Sequence, residues 1–266
     1  MKSETHYLHL LEVSHLTKSF RGLRALQDVD LQVNRDEILG IIGPNGAGKT
    51  TLFNCLTGYL SPTQGKILFQ GQDITRMGTP TVTRLGIART FQSIRLFGAL
   101  SVLDNVCIAQ QLRIQFGAIE LLFGLGSFWR KERALTEQAM AHLELFGLAD
   151  HAAHQASSLA YGMQRRLEIA RALATSPKLL LLDEPAAGMN ISETDALHQM
   201  LLEVKRRFSL AIIVVEHDMR LVMNMCDRIT VLNYGRVLST GTPDAIRRNP
   251  EVIESYLGKS HSAEAS

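Results

Sequence analysis

The chain has 266 residues, 45% of them hydrophobic and 20% charged, and its 28 basic and 26 acidic side chains leave a net charge of +2. That is ample apolar material for a large core and excludes intrinsic disorder, while so even a charge balance gives no footing for nucleic-acid binding. No apolar run approaches the roughly 20 residues of a bilayer span, the N-terminus lacks a signal-peptide pattern, and Cys55, Cys107 and Cys226 have unrelated spacings, so the chain reads as a cytoplasmic protein without disulfides or a zinc site.

Short β-branched or leucine-rich runs predict strands at 8–13, 31–33, 38–42, 66–69, 179–182, 211–215, 229–232 and 237–240. Those around Ile41, Leu181 and Val214 are apolar at every position, as strands covered on both faces are. The segment from about 93 to 175 has helical patterns and almost no strand. Ser101 opens one helix there. A second, over 131–146, carries Leu135, Ala139, Leu143 and Phe146 on one stripe and stops at Gly147. A third covers 162–175 and ends at Ser176-Pro177. The stretch 118–129 is unusually apolar and reads as subdomain core. Further on, Ser192 is the expected cap of a helix with Asp195 three residues later, and Leu197, Met200, Leu201, Val204 and Phe208 on its inner face. Strands alternating with helices give an α/β fold with a mostly parallel sheet. Residues 31–33 and the Tyr234-Gly235 turn add antiparallel hairpins.

Residues Gly43, Pro44, Asn45, Gly46, Ala47, Gly48, Lys49 and Thr50 match G-x-x-x-x-G-K-[ST], after an apolar strand and before a helix expected over 51–57. The physics of the pattern is specific. Glycines let backbone N–H groups converge on phosphate oxygens, and a helix N-terminus adds positive partial charge. Lys49 can reach the β- and γ-phosphates, and Thr50 offers Mg²⁺ a hard oxygen ligand. Such a site wants a carboxylate from a neighbouring strand end. Asp183, closing the 179–182 run, is the expected metal-side acid, and Glu184 the group that orients or deprotonates an attacking water.

Further segments then appear in the order used by ABC-type ATPases, and from about residue 8 to 258 the chain resembles that family. Thr90-Phe91-Gln92 resembles the Q-loop. Leu159-Ala160-Tyr161-Gly162-Met163-Gln164-Arg165-Arg166 stands at the signature, Ala186-Ala187-Gly188-Met189-Asn190 at the D-loop, and Val215-Glu216-His217-Asp218 at the switch-histidine loop. Phe20 sits at the position of the adenine-stacking aromatic, and Thr51 completes the phosphate loop. The resemblance implies a P-loop NTPase with a RecA-like, mostly parallel sheet and an antiparallel β subdomain over 1–92 and 176–258. A helical subdomain with the signature is inserted at 93–175, and a polar tail follows at 259–266.

It further implies ATP and Mg²⁺ as cofactors, with Thr50, Gln92 and Asp183 on the metal. Phe20, residues 43–51, Ala160 and Gly162 would lie on nucleotide, while Lys49, Gln92, Glu184 and His217 take part in hydrolysis. Two positions depart from the family pattern: Ala160 replaces the signature serine and Asn190 the D-loop aspartate. With one phosphate loop and one signature, the chain needs a second ATPase subunit, identical or related. Two membrane-spanning permease subunits, an extracytoplasmic solute-binding protein acting through them, and a peripheral place on the cytoplasmic face of the inner membrane are also implied. Residues 86–92, the segment from Leu159 and the ending Asn249-Pro250-Glu251 resemble the larger ATPase subunit of branched-chain amino acid importers. The ATPase of a lipopolysaccharide-type or other exporter, and a non-transport ABC-type ATPase, are the alternatives.

Overall fold

The computed structural model describes residues 8–111 and 126–257. The polar tail expected at 259–266 and most of the apolar stretch 118–129 lie outside the described residues.

Among the described residues, ten strands form two sheets. β1 (Leu11–Phe20), β2 (Leu23–Val33), β4 (Gln64–Phe69) and β5 (Gln72–Asp73) make an antiparallel sheet in the order β2-β1-β4-β5. The second has six strands, ordered β10-β9-β3-β8-β7-β6: β3 (Ile38–Ile42), β6 (Ile87–Arg89), β7 (Leu179–Asp183), β8 (Ala211–Val215), β9 (Arg228–Asn233) and β10 (Arg236–Gly241). All its pairings are parallel except the β9–β10 hairpin.

Period-two alternation divides the core. Ile38, Ile42, Leu180, Leu182, Ile212 and Val214 join one cluster. It includes Leu167 and Leu173 of helix α5 (Tyr161–Ala174), Leu197 and Val204 of α6 (Ile191–Phe208) and Val222 of α7 (Met219–Met225). The intervening Leu39, Ile41, Leu179, Leu181, Ile213 and Val215 join another. That one is shared with Leu11, Leu16 and Ile67 of the antiparallel sheet and with Leu52 and Phe53 of α1 (Lys49–Leu56). β3, β7 and β8 are buried at every residue, as fully apolar strands require. Each such Leu or Ile contributes about 1.5–3 kcal/mol by burial.

Between β6 and β7 lie α3 (Val102–Gln110), α4 (Gly126–Leu145) and α5. Val106 of α3, Ala139 and Leu143 of α4, and Phe146 just beyond it pack with Leu167 of α5. Ser101 caps α3 by accepting from the Asp104 N–H. The described residues also form α2 (Thr79–Leu85), α8 (Pro243–Arg248) and α9 (Pro250–Leu257).

The structure corrects one expected helix start. Asn190, not Ser192, caps α6, and Glu193 returns the bond to the Asn190 N–H in a reciprocal capping box.

Candidate functional site

The 43–50 loop leaves the buried strand β3 and turns directly into α1. Close packing from behind sets its shape. The Gly235 N–H donates to the Ala47 carbonyl, and the Gln27 N–H to Gly235, so the β9–β10 turn and β2 both brace it. Gly43 has φ 153°, and a Cβ there would lie 2.1 Å from the Leu232 carbonyl oxygen; Gly48, at φ 105°, would meet Ala25 O at 2.7 Å. Neither position admits another residue without moving backbone. Lys49 is buried, and its Nζ donates to the carbonyls of Gly43 (2.7 Å) and Pro44 (3.1 Å), folding the side chain along its own loop. Asn45, Gly46 and Thr50 are exposed, Thr51 half-buried and Ala47 buried.

Three residues expected at the site form a chain of contacts. Gln92 Nε2 donates to Glu184 Oε2 at 2.9 Å, and His217 Nε2 lies 2.7 Å from Glu184 Oε1. Glu184 leaves β7 with φ 49°, a left-handed conformation unusual for a glutamate. Its N–H donates to Val215 at the end of the adjacent β8, which holds the carboxylate beside the switch-histidine loop. Asp183, one residue earlier, is buried and paired with Arg89 at 2.7 Å. The site therefore sits at the C-terminal ends of parallel strands, where open α/β sheets place ligands.

Comparison with known proteins agrees with this arrangement. The ABC transporter family pattern matches residues 26–187, and the pattern described as branched-chain amino acid ATP-binding cassette transporter matches 236–262. The high-affinity branched-chain amino acid transport ATP-binding protein LivG of Escherichia coli (strain K12) is 46% identical over 94% of this chain and 98% of its own length. BraF of Pseudomonas aeruginosa, of the same description, is 45% identical over the same shares. The lipopolysaccharide export ATP-binding protein LptB of Acidithiobacillus ferridurans reaches 36%, over 94% of this chain and 97% of its own. Among solved structures, the ADP conformation of an ATP-binding cassette of an ABC transporter superposes with a TM-score of 0.81 at 29% identity, covering 95% of this chain and 100% of that one. The chain belongs to the ABC transporter ATPase family.

In this ABC ATPase the signature segment opens α5, with Ala160 at the N-cap offering no side-chain bond. Its neighbours within the chain are the D-loop and the Q-loop. Tyr161 packs on Gly188, and Gly162 faces Glu193 so closely that an added Cβ would lie 3.2 Å from Oε1. Asn190 spends its side chain on capping α6. Phe20 is exposed at the end of β1, with Lys18 Nζ 5.0 Å from its ring centroid.

Four residues that tie these loops together have no role in the expectations above, although Arg165 and Glu216 lie within the segments matched to the signature and the switch-histidine loop. Arg165, fully buried on α5, donates to the carbonyls of Phe91 and Gln92 at 2.7 Å each and to Glu168 at 2.9 Å. Glu168 in turn accepts from the N–H groups of Phe91 and Arg95. The signature helix thus grips the Q-loop backbone. An Arg and a Glu three apart on a helix read as a surface pair, and nothing in their spacing marks them as buried. Glu216 is the third: its carboxylate accepts from the N–H of Ala186 at 2.9 Å and of His217 at 3.2 Å, joining the switch loop to the D-loop. The fourth is Arg89.

Burial holds the Glu216 carboxyl above the usual range, and the neighbouring Glu184 adds to the effect. A carboxyl raised on folding costs stability above its folded pKa, and that cost is relieved as pH falls toward the unfolded value near 4.5. Relative to Glu216→Gln, which carries no such charge, the native chain should gain stability between pH 7 and pH 4.5. Paired melting temperatures check this, and a gap independent of pH would refute it.

Proposed function

We propose that this chain is the ATP-hydrolysing subunit of an importer for branched-chain amino acids. The observation that carries the ATPase reading is the Gln92–Glu184–His217 cluster at the strand ends beside the phosphate loop. Lys49, the 43–51 loop through the N–H groups of its residues other than Pro44, and the start of α1 would hold the triphosphate, and Phe20 would stack on the adenine. Thr50, Asp183 and Gln92 supply hydroxyl, carboxylate and amide oxygens, a hard donor set that fits Mg²⁺. When bound, the metal neutralises charge on the phosphate oxygens.

Glu184 orients the attacking water and accepts its proton. Each oxygen already makes one contact, to Gln92 or to His217, and keeps a second lone pair for water. His217, with a side chain 47% exposed, would serve as a donor to the γ-phosphate. Ala160 and Gly162 would cap nucleotide held by a second ATPase subunit, identical or related. Ala160 has no hydroxyl to contribute, so the N-terminal N–H groups of α5 are left to bind the anion.

No helix of the described residues is long and apolar enough to cross a membrane. Two separate permease subunits would therefore carry the solute, with this chain on their cytoplasmic face and an extracytoplasmic binding protein delivering to them. Residues 93–175 serve as the helical subdomain between the two parts of the nucleotide-binding core. The groove of roughly 410 Å³ lined by Tyr59, Thr83, Phe91, Phe97, Ile108 and Arg171 is the surface for the permease. The choice of solute rests on the relatives' described role and on the family match at 236–262. It favours the importer over the exporter alternative, whose relative is 36% identical against 46%.

Deleting the gene in a strain without other leucine carriers should lower radiolabelled leucine uptake, and a plasmid copy should restore it while a Lys49→Ala copy does not. Unchanged uptake in the deletion strain would refute the substrate assignment.

A further inference from the structure

Arg89 ends β6, three residues before Gln92, and its guanidinium is fixed from several directions. One terminal nitrogen lies 2.7 Å from Asp183 Oδ2, and the other donates to Asn54 Oδ1 of α1 at 2.6 Å. The rings of Phe53 and Phe91 lie 5.4 and 5.0 Å away. Only 7% of the Arg89 side chain and 6% of that of Asp183 reach solvent. Arg89 Nε is buried without a partner among the described residues. As a stability device this is a poor arrangement, because a desolvated ion pair with an unsatisfied N–H does no better than well-packed apolar side chains.

Its distinctive effect is on charge. The pair sums to zero at the acid expected to face the metal, and a divalent cation approaching Asp183 meets a fixed positive charge in a poorly screened setting. Cation and guanidinium compete for one carboxylate until phosphate oxygens add negative charge.

We propose that Arg89 makes cation binding at Asp183 conditional on nucleotide: the bare site does not retain a divalent cation, and the triphosphate supplies the charge that lets it bind. Arg89 acts through Asp183 and is a positioning residue. The proposal rests on the reading of Asp183 as the metal-side acid.

The test uses Mn²⁺ alone as probe, with free ion read by electron paramagnetic resonance in the presence of the full chain and no nucleotide. The wild type should bind Mn²⁺ at Asp183 only weakly, leaving nearly all of it free. Arg89→Met and Arg89→Gln, both neutral, should bind it at least ~10-fold more tightly than the wild type. Arg89→Lys, which keeps the charge, should behave as wild type. Near-UV circular dichroism reports folding, and Arg89→Gln, with an amide N–H for Asp183, carries the test if Arg89→Met does not fold.

A purely structural Arg89 would lower the melting temperature in the variants and leave Mn²⁺ affinity unchanged; that result overturns the proposal, as does Mn²⁺ that the nucleotide-free wild type retains and Asp183→Asn releases. Asp183→Asn separates the two claims. If it binds Mn²⁺ with ATP as tightly as the wild type, the reading of Asp183 fails. If it does not, and the neutral Arg89 variants gain nothing, the Arg89 proposal alone fails.

Discussion

Glu184→Gln is expected to lower ATP hydrolysis by about 10²–10⁴-fold, the range for removing a positioned general base, while leaving ATP binding intact. The structure explains why the substitution should be so selective. Glu184 touches Gln92 through one oxygen and His217 through the other. A glutamine of the same shape keeps one acceptor for His217 and presents an NH₂ group to Gln92, whose own amide can turn over to accept it. The cluster survives, and the group able to take a proton from water is gone. ATP should then accumulate uncleaved in a closed two-subunit form, because contacts made by the γ-phosphate persist until hydrolysis. Equilibrium binding and single-turnover hydrolysis measured on one preparation separate the two effects. Wild-type turnover from the variant would remove Glu184 from the role assigned to it.

Lys49→Ala should fail earlier, at binding. Its ammonium is buried against the Gly43 and Pro44 carbonyls, on the loop that would surround the phosphates. Hydrogen bonds to charged groups contribute about 1.5–3 kcal/mol each, so losing two phosphate contacts should weaken ATP binding by roughly 10²-fold or more. Truncation also strips a donor from two loop carbonyls, and the empty loop should melt more easily. An alanine variant that binds ATP as tightly as the wild type would refute this reading of Lys49.

How legible all this was in the sequence depends on how local the controlling interactions are. The phosphate loop was readable because its chemistry lies within eight consecutive residues and both flanks declare themselves. β3, β7 and β8 were readable because burial on two faces leaves no polar position. β1 was seen only in part: expected over 8–13, it runs from Leu11 to Phe20. Its second half carries register shifts and a residue, His15, at φ 52°, which blur the alternation. β6, three residues long, is too short for any period to show.

The start of α6 was a contest between neighbours. Ser192, with Asp195 three residues on, was the expected cap, while Asn190 stands in the same relation to Glu193 two residues earlier. The structure selects the earlier one, and the Asn that departs from the family's D-loop pattern thereby has a local task.

What stayed hidden was long-range. Arg89 meets Asp183 across 94 positions, and Ala186 meets Glu216 across 30; no window of sequence shows that such charges are buried together. Gln92, Glu184 and His217 could be named singly by resemblance, but that the first and last share one carboxylate is a fact of three dimensions.

In the proposed function, one chain supplies only part of each working nucleotide site. ATP turnover per chain, followed on dilution while light scattering reports the mass of the species present, tests it most directly. Turnover should belong to two-subunit species and vanish as single chains come to dominate. Full-rate hydrolysis by a species with the mass of one chain would show that a single chain suffices.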